Sequence, residues 1–458
     1  MTSRNPADLL AEDRRHLIHP LHHPSDTQDP VVFVEGKGAI LKSIDGKEYI
    51  DSLSCLWNVN AGHGRAELAE AAAEQMSRMA YATNYAGATN PPAIELAARL
   101  VKISYPSMSG VYFTTSGAEA NEAAFKTARY FWKVQGKPNK VKFISRIHAY
   151  HGVSMATMTA TGMPIFSKMF APGMPNIVHV PAPYPYRPPA GDAHNGDAGL
   201  QAAEALEQAI LREGPDTVAA FIAEPVMGAG GVIPPPPSYF PRVREICDRH
   251  EVLFIADEVI TGFGRTGRWF ALGHWGVQPD MVAFAKGVTS AYLPLGGIIV
   301  NSRIHGTIVE APLDMRYMHA ATYSGHATCC AVGVRNLEII EKEGLVERAG
   351  VLGKRLLTGL ETLRDLPCVG DVRGMGLMCG VELVEDRKTK APAVGLGGKV
   401  LREARKRQLF GRIRAGVKTG ESPIGDTICI APPLVTTEEQ IERIVSIYRE
   451  SITAAMAA

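Results

Sequence analysis

Short apolar runs alternate with segments of helical pattern from about residue 108 to residue 320, and this alternation leaves few possible folds. Runs of this kind are typical of parallel strands buried on both faces, and parallel strands need helical crossovers to connect them. The pattern therefore predicts an α/β fold with a mostly parallel central sheet and helices on both faces. Ligands of such sheets bind beyond the carboxyl ends of the strands, so functional residues are expected there.

A lysine, Lys286, closes one of these apolar runs (residues 280–287). Lysine is rarely buried without a partner, and burial favours the neutral amine, which can attack a carbonyl carbon to form a Schiff base. Asp257 ends another run, so both side chains are expected at the same sheet edge. An imine-forming amine and a carboxylate that keeps a pyridine nitrogen protonated are what pyridoxal phosphate chemistry requires. A lysine that reaches solvent and a loop carboxylate are the ordinary alternatives.

Two further segments add a phosphate site and an aromatic ring. Residues 111–126 pass from a β-rich run through Ser116 and Gly117 into a strongly helical stretch. Because N–H groups at a helix start are unpaired and lie at the positive end of its dipole, this turn can bind a phosphate, or it is only a helix cap. Tyr150, in the segment 147–152, can stack on a pyridine ring or be a partly buried loop residue.

Taken in order, these motifs resemble those of class III (ω-type) pyridoxal-phosphate-dependent aminotransferases, and the resemblance covers nearly the whole chain. The matching stretches are residues 56–65, 115–119, 150–152, 223–231, 257–267, 286–287, 322–326 and 431–434. The branch that transfers amino groups from ω-amino acids or primary amines to pyruvate is the most similar. The resemblance implies the fold type I architecture of pyridoxal phosphate enzymes, with a smaller α+β domain beside the main sheet.

The resemblance also implies a role for each residue of the site. Lys286 would bond to the cofactor, pyridoxal 5′-phosphate, and carry a proton, while Asp257 would face the pyridine nitrogen. Tyr150 and Val259 would cover the two ring faces, and Thr322 would reach the phosphate of a neighbouring subunit in a homodimer or tetramer. The full set of implied cofactor ligands is Ser116, Gly117, Ala118, Tyr150, His151, Glu224, Asp257, Val259, Lys286 and Thr322.

Two positions near the cofactor leave alternatives open. Glu224 resembles the family's carboxylate in a Glu-Pro segment, but it also fits a buried structural carboxylate that accepts hydrogen bonds from loop amides. Met227 stands where many relatives have a glutamine beside the ring hydroxyl, so that contact is in doubt.

Substrate binding would involve Trp57, Tyr85 and Arg414, by the same resemblance. Arg414 fits the arginine that receives a substrate carboxylate, because a guanidinium can donate two parallel hydrogen bonds to it. The following loop, residues 417–425, is longer than in similar proteins, so Arg412 is the alternative. Taurine, β-alanine, 4-aminobutyrate, diamines such as putrescine and aryl amines are all candidate donors.

The predicted activity is a ping-pong transamination that gives an aldehyde or ketone and alanine. A decarboxylase or racemase on the same scaffold is the nearest alternative, because these reactions differ mainly in which substrate bond stands perpendicular to the cofactor ring. A non-catalytic binding protein is a third hypothesis, since a fold does not dictate an activity. Loss of Lys286 or Asp257 would indicate such a protein, and both residues are present.

The chain is expected to divide into an N-terminal segment (residues 1–55) that packs with the small domain, a large cofactor-binding domain (56–325) and a C-terminal small domain (326–458). Helices are predicted near 66–79, 92–104, 326–343, 345–363 and 437–454, and a tight hairpin turn at Asp45-Gly46.

Composition excludes several functions. A formal net charge of +1 gives no general attraction to nucleic acid or membrane. With 46% hydrophobic and 21% charged residues, the chain can bury a large core, and no apolar stretch is long enough to span a bilayer. Seven cysteines without a Cys-x-x-Cys pair favour a reducing, cytoplasmic location and argue against a zinc site. The pair His22-His23 is interpreted as surface histidines rather than metal ligands.

Overall fold

The computed structural model describes residues 5–21, 23, 30–85, 87–188, 196–420 and 422–457. The helices are α1 (Pro6–His16), α2 (Ser54–Trp57), α3 (Ala66–Met79), α4 (Pro91–Ile103), α5 (Gly117–Val134), α6 (Met155–Ala160), α7 (Ala198–Glu213), α8 (Tyr239–Arg249), α9 (Ser302–Glu310), α10 (Ala327–Lys342), α11 (Leu345–Glu361), α12 (Leu396–Lys406) and α13 (Glu438–Ala457). The strands are β1 (Phe33–Lys37), β2 (Ile40–Ser43), β3 (Glu48–Asp51), β4 (Met108–Thr114), β5 (Lys142–Arg146), β6 (Ile177–Val180), β7 (Val218–Ala223), β8 (Leu253–Asp257), β9 (Met281–Phe284), β10 (Gly296–Asn301), β11 (Val369–Gly374), β12 (Cys379–Asp386), β13 (Ala391–Pro392), β14 (Leu409–Phe410), β15 (Arg412–Arg414) and β16 (Thr427–Ile430).

The largest sheet has seven strands in the order β4-β10-β9-β8-β7-β5-β6. The neighbours from β9 through β6 pair in parallel, whereas β10 runs antiparallel to both β9 and β4. A single reversed strand therefore interrupts an otherwise parallel sheet, as the alternation of apolar runs and helices predicted. The carboxyl ends of the parallel strands form one edge.

Helices cover both faces of this sheet. Ile222 and Ile255 face one side, where they join a cluster with Ala120 and Phe125 of α5. Phe221 and Phe254 face the other side and pack with the aromatic and aliphatic side chains of α7 and α8. Strands β7, β8 and β9 are buried at every position, which explains why each is a continuous apolar run.

Smaller sheets combine the two ends of the chain. Strands β11, β12, β16 and β15 form one sheet in that order, with β13 beside β12. Strands β1, β2 and β3 form the other, and β14 from the C-terminal part pairs with β3 in parallel. The division at residues 56 and 326 stays a prediction.

Most predicted elements match the observed ones. The hairpin between β2 and β3 turns at Gly46, whose φ of 82° suits glycine. Helices α3, α4, α10, α11 and α13 lie where the periodicity placed them, within a few residues at their ends. All seven cysteines are free, and none of the described helices is long and apolar enough to cross a membrane. His22 lies outside the described residues.

Candidate active site

Lys286 lies two residues beyond the end of β9, in a short 3-10 turn, and its φ is 47°. A non-glycine residue in this left-handed region is strained, and such strain is common at functional sites. Burial lowers the pKa of its ammonium to about 8, the charges of Asp257 and Glu224 oppose this shift, and the charge of Arg412 adds to it. Lys286 is therefore close to these groups and far more acidic than an ordinary lysine.

Asp257 is the last residue of β8 and is almost fully buried. Its Oδ2 accepts hydrogen bonds from His151 Nδ1 at 2.7 Å and from Asn121 Nδ2 at 2.8 Å, and its Oδ1 accepts one from the Val259 backbone N–H at 3.2 Å. These donors hold the carboxylate in one orientation. Asn121 was not predicted, although a polar residue on the buried, alanine-rich face of α5 is a signal that could have revealed it.

The predicted phosphate turn precedes α5. Ser116 is the N-cap residue, and its Oγ accepts a hydrogen bond from the Glu119 N–H at 3.3 Å. Gly117 and Ala118 occupy the first turn, where N–H groups have no partner within the helix. A Cβ on Gly117 would lie 2.8 Å from Val259 Cγ1, so the turn touches the segment that follows Asp257.

The loop that carries Tyr150 meets both of these segments. His151 binds Asp257, and a Cβ on Gly152 (φ +120°) would lie 2.7 Å from the Cβ of Ala118. Glu224 accepts hydrogen bonds from the Tyr150 N–H at 3.0 Å and the Gly228 N–H at 2.8 Å, and burial raises the pKa of its carboxyl. Glu224 thus ties two loops together, the structural role that the sequence left open.

Trp57 lies behind this site. It is 4% exposed and packs in an apolar cluster with Val226 and Ile260, which follow Glu224 and Val259 in the chain. Met227 is fully buried in another cluster beneath the Tyr150 loop. Its side chain offers no hydrogen-bond donor, so it does not replace the glutamine of relatives.

The two arginines of β15 differ in their surroundings. Arg414 is 8% exposed, its Nη1 donates to the Ala415 carbonyl at 2.7 Å, and its Nη2 lies 3.2 Å from His148 Nδ1. Arg412 is exposed, and its charge acts on both Lys286 and Tyr150. Arg414 is thus held inside the protein, whereas Arg412 is exposed and acts on Lys286; which of the two binds a substrate stays a prediction.

Tyr85 and Thr322 lie together on an exposed surface. The Thr322 carbonyl accepts a hydrogen bond from Tyr81 Oη at 2.8 Å, and the Ser324 carbonyl accepts one from Asn84 Nδ2 at 3.0 Å. Among the described residues, no hydrogen bond or ring contact connects Tyr85 or Thr322 with Lys286 or Asp257 of the same chain.

The residues at the sheet edge fit a phosphorylated pyridine. His151 Nε2 and Asn121 Oδ1 are buried without a hydrogen-bond partner, although each neighbours the carboxylate of Asp257. Orphaned polar atoms of this kind usually indicate a group that binds there. The start of α5 supplies N–H donors for a phosphate, Lys286 supplies an amine, and Asp257 supplies a counter-charge. This arrangement defines a pyridoxal-phosphate-dependent enzyme of fold type I.

Comparisons with known proteins specify the family. The model of the aminotransferase class-III family matches residues 22–452. The chain is similar to a probable aminotransferase of Mycobacterium tuberculosis (41% identical, covering 98% of this chain and 95% of the relative) and to a diaminobutyrate–2-oxoglutarate transaminase of Halomonas elongata (40%, covering 96% and 94%). It is also similar to a putrescine–pyruvate aminotransferase of Pseudomonas aeruginosa (37%, covering 100% and 98%).

Solved structures agree with these relatives. An (S)-enantioselective ω-transaminase of Thermomicrobium roseum superposes with a TM-score of 0.91 at 42% identity, covering 100% of this chain and 99% of that one. The ω-transaminase of Pseudomonas jessenii in complex with PMP gives 0.92 at 36% identity, with 98% of each chain covered. The chain belongs to the class-III aminotransferase family, whose members use pyridoxal phosphate, and it is a transaminase rather than a binding protein.

Proposed function

We propose that this transaminase transfers the amino group of a primary amine or ω-amino acid to pyruvate, giving alanine. The observation that carries the proposal is the contrast between the arginines of β15. Arg412 is exposed and acts electrostatically on Lys286, whereas Arg414 is bonded to His148 and Ala415. The guanidinium of Arg412 can bind one carboxylate, and pyruvate carries one carboxylate. The P. aeruginosa relative is named for pyruvate, which supports the same acceptor.

A 2-oxoglutarate acceptor is the second candidate, because the Halomonas relative is named for it. The second carboxylate of 2-oxoglutarate would need a further cation in the site. Arg414 could serve only if it left His148 and the Ala415 carbonyl, which would strand a buried histidine nitrogen without its donor. The geometry therefore favours pyruvate.

Each residue of the sheet edge has a proposed task. Pyridoxal phosphate, when bound, acts as the electron sink for the substrate carbon. Asp257 holds the proton on the pyridine nitrogen, and His151 and Asn121 fix the orientation of its carboxylate. Lys286 Nζ accepts the proton from the substrate carbon, a task that its low pKa of about 8 suits. Tyr150 would cover one face of the cofactor ring, and the hydrogen bond from its backbone N–H to Glu224 fixes the loop that carries it.

The donor is proposed to be a simple primary amine or an ω-amino acid, such as taurine, β-alanine, a diamine or an aryl amine. Trp57 would form an apolar wall of the pocket, since it packs against the segments that carry Glu224 and Val259. Arg412 would bind the distal acid group of an ω-amino acid. Uncharged amines would be accepted without that contact.

The active sites are proposed to be shared between two copies of the chain. Thr322 and Tyr85 belong to a surface with exposed aromatic side chains, Tyr81 and Tyr323 among them. In a homodimer, this surface would bring Thr322 to the phosphate and Tyr85 to the substrate pocket of the neighbouring subunit.

The test is a panel of donors measured against two acceptors. The holoenzyme is incubated with each donor and either pyruvate or 2-oxoglutarate, and alanine or glutamate is quantified. We expect alanine from several primary amines, with parallel double-reciprocal plots as a ping-pong scheme requires. Glutamate formed as fast as alanine would contradict the proposed acceptor. Sedimentation should give a dimer or tetramer, and an active monomer would contradict the shared site.

A further inference from the structure

Three side chains with metal-binding chemistry converge where β3 leads into α2 and the loop that follows it. Asp51 ends β3, Cys55 lies in the single turn α2, and His63 follows α2. Asp51 Oδ2 is 2.9 Å from His63 Nε2, and Cys55 Sγ is 3.8 Å from the same nitrogen. All three candidate ligand atoms lie within 4.8 Å of one another.

The backbone holds Cys55 toward its two neighbours. Asp51 Oδ1 accepts hydrogen bonds from the N–H groups of Leu53 at 3.1 Å and Cys55 at 2.9 Å, and Asp51 Oδ2 accepts the same Cys55 N–H at 2.7 Å. Ser54 and Cys55 have φ values of 49° and 52°, which are costly for non-glycine residues. Arg265 Nη2 donates to Ser54 Oγ at 2.9 Å, and this Oγ donates to the Ala431 carbonyl at 2.7 Å. The strained turn is therefore fixed from both sides, and the thiol of Cys55 is positioned rather than free to rotate away.

The chemistry of the three ligands fits Zn²⁺. A tetrahedral zinc ion with one sulfur, one nitrogen and one oxygen ligand places the ligand atoms about 3.3 to 3.6 Å apart. The distances from His63 Nε2 to Asp51 and to Cys55 bracket that range, so small side-chain rotations suffice. A thiolate and a carboxylate also balance the charge of a dication, and soft sulfur favours zinc over magnesium or calcium.

One neighbouring cation shares the charge of Asp51. Arg265 is fully buried and interacts electrostatically with Asp51, while its other hydrogen bonds go to Asn60, Leu377 and Pro432 rather than to the three ligands. Zinc binds cysteine as the thiolate, so the ion displaces the proton of the Cys55 thiol.

We propose that Asp51, Cys55 and His63 form a binding site for one Zn²⁺ ion, with its fourth position open to water. Binding breaks the S–H bond of Cys55, releases that proton to solvent and forms a zinc–sulfur bond. His63 Nε2–H donates to Asp51 in the structure, so zinc binding also breaks that hydrogen bond: Nε2 loses its proton, Nδ1 takes one up from solvent, and the neutral ring binds the ion through its Nε2 lone pair. No oxidant or reductant is involved. Because Trp57 follows two residues after Cys55, the ion stabilises the turn that leads to the substrate pocket.

The first test measures zinc binding by the holoenzyme in competition with a chromophoric chelator. We expect one zinc ion per chain, and the variants Cys55→Ser and His63→Gln should each lose at least about tenfold in affinity. Cys329→Ser, in helix α10, is the control, because Cys329 is not among the three candidate ligands, and it should bind zinc as the wild type does. Cofactor absorbance and circular dichroism of every variant should match the wild type, which separates ligand loss from misfolding.

A second measurement identifies the sulfur ligand directly. Cobalt(II) should give a thiolate-to-metal charge-transfer band with wild type and with Cys329→Ser, and none with Cys55→Ser. Zinc should raise the thermal unfolding midpoint of the wild type and of Cys329→Ser, but not that of Cys55→Ser. Undetectable binding by wild type overturns the proposal. Equal binding by Cys55→Ser and His63→Gln also overturns it, because the ion would then lie on the cofactor or elsewhere. None of these readouts depends on the proposed donor or acceptor.

Discussion

The sheet edge and the β15 region contribute to the same site, but they are built in different ways. At the edge, Asp257 ends β8 and Lys286 follows β9, so regular strands buried on both faces fix their positions. In β15, Arg412 and Arg414 share one strand face, and only contacts with distant loops distinguish them. We therefore expect the chemistry to depend on the rigid sheet and substrate choice to depend on contacts between segments that are distant in sequence.

The sharpest test of the sheet edge is Lys286→Ala. This change removes the amine that bonds to the cofactor and carries the substrate proton, so activity should fall by about 10,000-fold or more. The yellow absorbance of the covalently bound cofactor should disappear as well. Both are measured on purified protein after cofactor is added in excess. Turnover near the wild-type rate would remove the basis for assigning the chemistry to this edge.

Asp257→Asn tests the second residue of the edge. An opposite charge shifts the pKa of its partner by about 1 to 3 units, so its loss should lower kcat by about 10-fold to 1,000-fold. Asparagine keeps a similar shape and can still contact His151 and Asn121, which limits structural damage. Bound cofactor is quantified in parallel, since a variant that merely lost its cofactor would not test the charge. An unchanged kcat with full occupancy would contradict the role.

The same contrast explains what the sequence could predict. An apolar run that stops at a polar residue is a local signal, and it located Asp257, Lys286 and the helix start at Ser116. Arg412 and Arg414 carry the same side chain two residues apart, so no local pattern separates them, and the decisive contact with His148 spans more than 260 residues. The proposed zinc ligands were not predicted for a similar reason, because their spacing matches no common zinc motif and a strained turn brings the three together.

Arg412→Ala compared with Arg414→Ala tests which arginine of β15 binds the carboxylate of pyruvate. Loss of a charge-assisted hydrogen bond costs about 1.5 to 3 kcal/mol, so Arg412→Ala should reduce kcat/KM for pyruvate about 10-fold to 150-fold. With an uncharged amine as donor, the amine half-reaction should change little, which stopped-flow absorbance can measure. Arg414→Ala is the matched control and should mainly reduce stability. A larger loss of pyruvate affinity in Arg414→Ala would instead identify Arg414 as the residue that binds this carboxylate.

The pKa of Lys286 predicts a pH dependence of cofactor capture by the apoenzyme. Only the neutral amine attacks the aldehyde, so the rate should rise with pH and approach a plateau above about pH 8, the value to which burial lowers this pKa. One unit below that value, about a tenth of the amine is neutral, so capture should be about tenfold slower. Absorbance after rapid mixing gives the rate. A midpoint near the ordinary lysine value of about 10.4 would show that the amine is not desolvated.

Ser422→Ala should have the smallest effect, and it tests how the loop after β15 supports the arginines. Burial, with the charge of Arg414, lowers the pKa of His148 to about 3, so this histidine is neutral. Its Nδ1 therefore accepts from Arg414, and its Nε2–H donates to Ser422 Oγ at 2.8 Å. Removing the hydroxyl costs about 0.5 to 1.5 kcal/mol, which should lower the thermal unfolding midpoint slightly and leave kcat and the KM for pyruvate unchanged. A fall in kcat would instead indicate that the contact between His148 and Ser422 affects the residues of the sheet edge. Steady-state kinetics distinguish the two outcomes.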